Sequence, residues 1–174
     1  QKIKAGQEID KPVHVVDLFP TFMEIAGGDV GDYHLDGKSI LPLIDGRGGF
    51  EREALYMHLP LYIPHYNKTP SSLVRTDDFK LIYFHGDSVD EADYKQIIPG
   101  ERYELYRIVD DLSEQNDLAS AMPEKVAELK AKLDAWLEET GAQMPIENPD
   151  FDPENWLAAT SRKVDYAGEV VPME

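Results

Sequence analysis

The sequence predicts an α+β fold, a small antiparallel sheet of about four strands with a long C-terminal helix packed on it. Three observations predict it. Ser72 to Phe84 holds two short runs, Leu73-Val74-Arg75-Thr76 and Phe79-Lys80-Leu81-Ile82-Tyr83-Phe84, divided by Asp77-Asp78. Both runs are rich in β-branched and aromatic residues, and Asp tolerates positive φ and bonds its own backbone, so the stretch reads as a tight hairpin. A lone hairpin is marginal in water and needs cover. The second observation is a further strand, Tyr103 to Val109, whose side chains alternate. The third is the stretch Pro123 to Thr140, where Val126, Leu129, Leu133, Trp136 and Leu137 recur at threes and fours while Lys125, Lys130, Lys132, Glu138 and Glu139 point elsewhere. Pro123 starts this helix and Gly141 stops it. At 1.5 Å per residue it is about 27 Å long, enough to span a three- or four-stranded sheet.

Ahead of this nucleus, the opening Gln1 to Asp10 reads as polar linker, and the chain as a piece of a longer polypeptide. Val15, Leu18, Phe19, Phe22 and Ile25 then fall on one helical face, with Asp17 expected as the cap, Pro20 in the first turn and Gly27-Gly28 as the stop. A short apolar piece, Ser39 to Ile44, follows the turn at 35–38, and residues 45–52 form a glycine-rich loop. Ala54 to Leu59 reads as a strand. Pro60, Pro64 and Pro70 stiffen the next loop, which holds Tyr62, His65, Tyr66 and Lys68. Such a loop suits either a pocket wall or an ordinary packed surface. Asn67-Lys68-Thr69 matches a glycosylation acceptor.

Asp87 to Asp93 reads as an acidic connection. The run Asp110 to Leu118 concentrates hard oxygen ligands, but its spacing is not that of an EF-hand, and capped turns are the better reading. From Gln143 on, Pro145, Pro149 and Pro153 predict an extended tail anchored by Trp156.

Composition sets outer bounds. The chain has 174 residues, long enough for one domain with a core, or a domain plus an appendage. Its 17 basic and 34 acidic side chains give a net charge of −17, which opposes binding to nucleic acid or to an anionic membrane surface. No run approaches the roughly 20 apolar residues of a membrane span. The absence of cysteine removes disulfides, thiolate metal sites and cysteine nucleophiles from these residues.

Four segments together resemble the C-terminal part of formylglycine-dependent sulfatases of the alkaline-phosphatase-like superfamily. They are Val16-Asp17-Leu18-Phe19-Pro20-Thr21 continuing to Glu24-Ile25-Ala26-Gly27, then Asp36-Gly37-Lys38-Ser39-Ile40-Leu41-Pro42-Leu43, then Arg75 with Lys80-Leu81-Ile82, then Glu104-Leu105-Tyr106 with Asp110, Glu114 and Asn116-Asp117-Leu118. Their order and spacing make the resemblance specific over roughly residues 3–150.

The resemblance implies a large α/β domain upstream and a smaller subdomain of four antiparallel strands and one helix. The chain then divides into 1–52, the end of the α/β domain; 53–142, the C-terminal subdomain; and 143–174, the tail. The missing N-terminal domain is the implied partner, and the apolar face at 15–25, deprived of it, is expected to lie open and to self-associate. The family's nucleophile is a formylglycine made from Cys or Ser in a Cys/Ser-x-Pro-x-Arg motif, beside a divalent cation, commonly calcium. Neither Cys-x-Pro nor Ser-x-Pro occurs here, so the resemblance assigns no catalytic or metal residue to this chain. It implies a parent that hydrolyses aryl or carbohydrate sulfates, with this part shaping the pocket. A phosphodiesterase or phosphonate hydrolase of the same superfamily, and an independent acidic binding module, are the alternatives. Candidate substrate-binding side chains are His58, His65, Lys68 and Arg75, with His58 expected to face the missing domain and touch the leaving-group side of a sulfated small molecule or carbohydrate.

Overall fold

Alternating side chains and short turns produce an antiparallel sheet in a computed structural model that describes residues 3–31, 33–61, 69–89, 97–146, 149–150, 162–164 and 170–172. In chain order the elements are a 3-10 turn (Val15–Asp17), α1 (Leu18–Ile25), α2 (Leu41–Asp45), β1 (Leu55–Leu59), β2 (Ser71–Arg75), β3 (Phe79–Phe84), β4 (Ser88–Val89), β5 (Ile97–Ile98), β6 (Arg102–Arg107), α3 (Pro123–Glu139), β7 (Arg162–Val164) and β8 (Val170–Pro172). Strands β1-β2-β3-β6 pair in that order, all antiparallel, as the sequence predicts.

The hairpin closes between Arg75 and Lys80, which face each other in the register. Thr76 N–H donates to Phe79 O at 2.9 Å, and Phe79 N–H returns a bond to Thr76 Oγ1 at 3.1 Å. Asp77 and Asp78 keep negative φ; among described non-glycine residues only Glu114 has a positive one. The Thr76 hydroxyl, rather than a left-handed aspartate, therefore tightens the turn.

Period-two alternation gives the sheet two unlike faces. One carries Tyr56, Val74, Leu81, Tyr83 and Leu105 and receives α3, with Leu129 and Leu133 sealed beneath it at 1% and 0% exposure. Each buried side chain of this size contributes about 1.5 to 3 kcal/mol, so this contact holds the subdomain together. At its border the Tyr56 ring stacks on Trp136, centroids 5.2 Å apart. Pro123 occupies the first turn of α3, and Gly141, at φ 60°, lets Ala142 N–H reach Leu137 O at 2.9 Å and close the C-terminus.

The acidic run after β6 forms capped turns. Asp111 accepts the backbone N–H groups of Gln115 and Asn116, and Asp117 accepts those of Leu105 and Ala119. Leu118 N–H then returns to Leu105 O at 2.7 Å, which lays the connection along β6 and delivers the chain to α3. Two small pairings, β4 with β5 and β7 with β8, lie in stretches read from sequence as a connection and an extended tail. The expected anchor Trp156 lies outside the described residues.

Replacing Leu129 by Asp should cost about 3 to 5 kcal/mol, since it places an unpaired charge in this core. Lys130→Asp, at a position where the side chain reaches the surface and pairs with Asp134, should stay within about 1 kcal/mol. Denaturant midpoints compare the two, and equal midpoints would contradict the helix-on-sheet packing.

Candidate functional site

The segment before the sheet is fastened by one carboxylate. Asp17 ends the 3-10 turn and its side chain makes no capping bond to α1, contrary to the sequence expectation. Instead it reaches back to His14 N–H at 2.7 Å, across to Lys38 N–H at 2.9 Å and forward to Arg52, whose two terminal nitrogens hold its two oxygens. Arg52 also donates to Pro12 O at 3.1 Å. The pair is sealed, with side-chain exposures of 0% for Asp17 and 5% for Arg52. Burial alone would push the Asp17 carboxyl up; the bonds from Arg52, His14 and Lys38 outweigh it and hold the group below the ordinary carboxylate value.

One face of α1 continues this network at intervals of four and three. Thr21 Oγ1 donates to Asp17 O and accepts Ile40 N–H at 3.0 Å, and Glu24 accepts the Ser39 hydroxyl and pairs with Arg47. Gly37 makes the approach possible, because a Cβ there would overlap the Val16 carbonyl and lie 2.9 Å from Asp17 N. The other face of α1 is bare. Leu18, Phe19, Phe22 and Ile25, which the spacing places on one face, are 42% to 62% exposed, as the resemblance to a part lacking its larger domain implies.

On the sheet, the two expected substrate-binding residues that are described, His58 and Arg75, lie on opposite faces. His58 lies on the helix side, its Nδ1 2.7 Å from Ser72 Oγ and its Nε2 2.9 Å from Gln143 O. Arg75 lies on the opposite side, where its Nη1 donates to the turn carbonyls of Thr76 and Asp77. That side also bears Lys80, paired with Glu114, and Arg102, stacked over Phe84 at 3.7 Å. His65 and Lys68 fall outside the described residues. Sequence reasoning missed Arg52 and His85. The signal for His85 was present in the register, which sets His58, Ser72 and Tyr83 side by side with His85 next on the same face.

Two open clefts lie among the described residues. One of about 280 Å³ lies between the hairpin turn and α3, lined by Asp77, Phe79, Lys125 and Lys132. Another of about 420 Å³ lies beside α1, lined by Glu24, Tyr33, Leu35 and Lys38. In the second, the Ser39 hydroxyl donates to the Glu24 carboxylate, which Arg47 also holds. The formylglycine and divalent cation that the resemblance implies do not fit these residues: the chain has no cysteine, no described group of three acidic or histidine side chains could hold a metal, and the carboxylates of Asp111 and Asp117 already accept backbone N–H groups.

A family model described as N-sulphoglucosamine sulphohydrolase, C-terminal, matches residues 1–143. The chain belongs to that family. Among curated relatives of this chain, an N-acetylglucosamine-6-O-sulfatase of Bacteroides thetaiotaomicron is 30% identical over 151 residues, 85% of this chain and 24% of that protein. Arylsulfatase K of Canis lupus familiaris is 27% identical over 75% of this chain and 23% of its own length. The chain thus spans about a quarter of these relatives. A solved structure of a protein in complex with its substrate D-glucosamine-2-N,6-O-disulfate aligns over 74% of this chain and 24% of its own at 26% identity, TM-score 0.55. A 2-O GAG sulfatase shares the fold over 99% of this chain and 34% of its own at 21% identity, TM-score 0.64.

Removing Arg52 leaves a buried carboxylate without its partner, so Arg52→Ala should cost about 3 to 5 kcal/mol. Arg107→Ala, which breaks an exposed pair with Asp110, should cost under about 1 kcal/mol. Because Asp17 is lowered in the folded state, its stabilisation is complete above the unfolded value of about 3.9 and is lost as pH falls through the folded value. Denaturation from pH 7 to pH 2 should therefore show an acid limb below about pH 4 that shrinks in Asp17→Asn. An unchanged limb would remove Asp17 from this role.

Proposed function

We propose that this chain is the C-terminal part of a hydrolase of O-sulfated amino sugars, in which it forms one wall of the substrate pocket. The family match over residues 1–143 carries this reading. The relative named for N-acetylglucosamine-6-O-sulfate chemistry and the neighbour solved with a sulfated glucosamine support the substrate class. In this reading the nucleophile and the cation belong to the remaining three-quarters of the protein. The cation would stabilise charge building on the sulfate oxygens, and the chain described here would orient the sugar.

The proposed division follows the subdomain boundaries. Residues 1–52 close the larger domain, 53–142 form the sheet and helix, and 143–174 run on as the tail. The bare face of α1 supports the larger domain as its partner: four exposed apolar side chains on one helix favour a covering surface by several kcal/mol, each contributing about 1.5 to 3 kcal/mol on burial. Of the four basic side chains singled out from sequence, His65 and Lys68 are the proposed substrate contacts. His58 and Arg75, whose donors serve Gln143 and the hairpin turn, are proposed as positioning residues.

Assays of the full-length protein test this reading. It should release sulfate from 6-O-sulfated glucosamine, and His65→Ala or Lys68→Ala should lower kcat/KM for that saccharide by about 1 to 3 kcal/mol while sparing a small aryl sulfate. Hydrolysis of phosphate diesters with no release of sulfate would overturn it in favour of the phosphodiesterase alternative.

A further inference from the structure

At the end of the sheet where β1, β2 and β3 meet, two imidazoles share one buried hydroxyl. Ser72 is 1% exposed. Its Oγ lies 2.7 Å from His58 Nδ1 and 2.6 Å from His85 Nε2. His58 Nε2 lies 2.9 Å from the carbonyl oxygen of Gln143, a residue 85 positions away and just past the end of α3.

That carbonyl fixes every proton in the chain of bonds. A carbonyl oxygen only accepts, so His58 Nε2 carries hydrogen. In a neutral ring Nδ1 is then an acceptor and takes the Ser72 hydroxyl hydrogen, leaving the Ser72 oxygen to accept from His85 Nε2–H. The remaining atom, His85 Nδ1, is a buried lone pair with no hydrogen-bond partner among the described residues.

A further proton has no good place to go. On His85 Nδ1 it makes a buried N–H with no acceptor. On His58 Nδ1 it removes the acceptor of the Ser72 hydroxyl, whose hydrogen is then left unbonded or turns toward His85, which moves its own hydrogen to that same buried Nδ1. Either route buries an unsatisfied donor and a charge together. The surroundings lean the same way. Burial first, then the neighbouring His58, holds His85 below the ordinary imidazole value; Lys130 on α3 adds to this, while Glu101 and Asp134 oppose it. The Tyr83 ring, edge-on at 4.3 Å, adds apolar cover.

We propose that His58, Ser72 and His85 form a proton-sensitive latch that holds the chain leaving α3 against the sheet at Gln143 at neutral pH and releases it in mild acid. Release gives the imidazoles water and therefore a site for the proton. Since His85 is lowered in the closed state, closure is favoured in full above the free imidazole value of about 6.5 and is lost as pH falls through the lowered one. The latch governs where residues 143–174 begin their path, and it does not rest on the sulfatase reading.

Methyl NMR of the full-length protein with labelled methionine tests it. Met144, next to Gln143 and 46% exposed, reports the latch, and Met122, packed against the core, reports the fold. In the wild type the Met144 signal should move between pH 7.5 and pH 5 to a second position, with a midpoint below about 6.5, while Met122 stays in place. Ser72→Ala should put Met144 in the second position already at pH 7.5. His85→Gln, which keeps an amide donor toward Ser72 but cannot titrate, should leave Met144 indifferent to pH. A wild-type Met144 signal that does not move, or one that titrates unchanged in Ser72→Ala, overturns the proposal. If Ser72→Ala displaces Met122 and has unfolded, a titration persisting in His85→Gln overturns it instead.

Discussion

The buried contact between Asp17 and Arg52 is the constraint on which the rest of the arrangement depends. A sealed charge is tolerated only when every lone pair has a donor, and Asp17 collects donors from His14, Lys38 and Arg52, three points far apart in sequence. Arg52 stands three residues before β1, so the same contact sets where the segment 14–40 sits relative to the sheet. Replacement by apolar residues of similar volume could match its stability, since desolvation offsets much of the attraction. What an apolar pair would lack is direction, because the forked guanidinium fixes the carboxylate in one orientation.

The segments that carry the family resemblance turn out to be bonded to one another. Asp17, Thr21 and Glu24 hold residues 38–40, with Gly37 as the point of backbone contact. Lys80 pairs with Glu114, and Asp117 and Leu118 bond both backbone groups of Leu105. These bonds build the domain. That accounts for a clear family pattern in a chain that lacks the nucleophile motif and, among its described residues, shows no group able to hold a metal ion.

Sheet, hairpin and long helix were legible because each follows from a local period. Alternation at Leu73-Val74 and Phe79 to Phe84 sets register and face together, and the threes and fours from Val126 to Leu137 leave one apolar stripe. The apolar face of α1 was legible for the same reason, and its exposure followed from the resemblance to a part that lacks its larger domain. Long-range polar contacts were not. Nothing in the vicinity of Asp17 points to a partner 35 residues away, and a local reading made it a helix cap, the commoner use of Asp before an apolar run. The candidate site was legible only as residue types: His58 and Arg75 are basic and close in sequence, yet the parity of the strands puts them on opposite faces.

The two faces of α1 summarise the physical division, one spent on internal polar bonds and the other left apolar and uncovered. If the chain is a docking part of a longer hydrolase, that second face must be covered in the whole protein. Hydroxyl-radical footprinting of the full-length protein measures this directly, with Leu112, 83% exposed, as the internal standard for an open side chain. Phe19 and Phe22 should be strongly protected relative to their intrinsic reactivity while Leu112 is oxidised freely. Phenylalanines as fully oxidised as Leu112, after the same correction, would contradict the account.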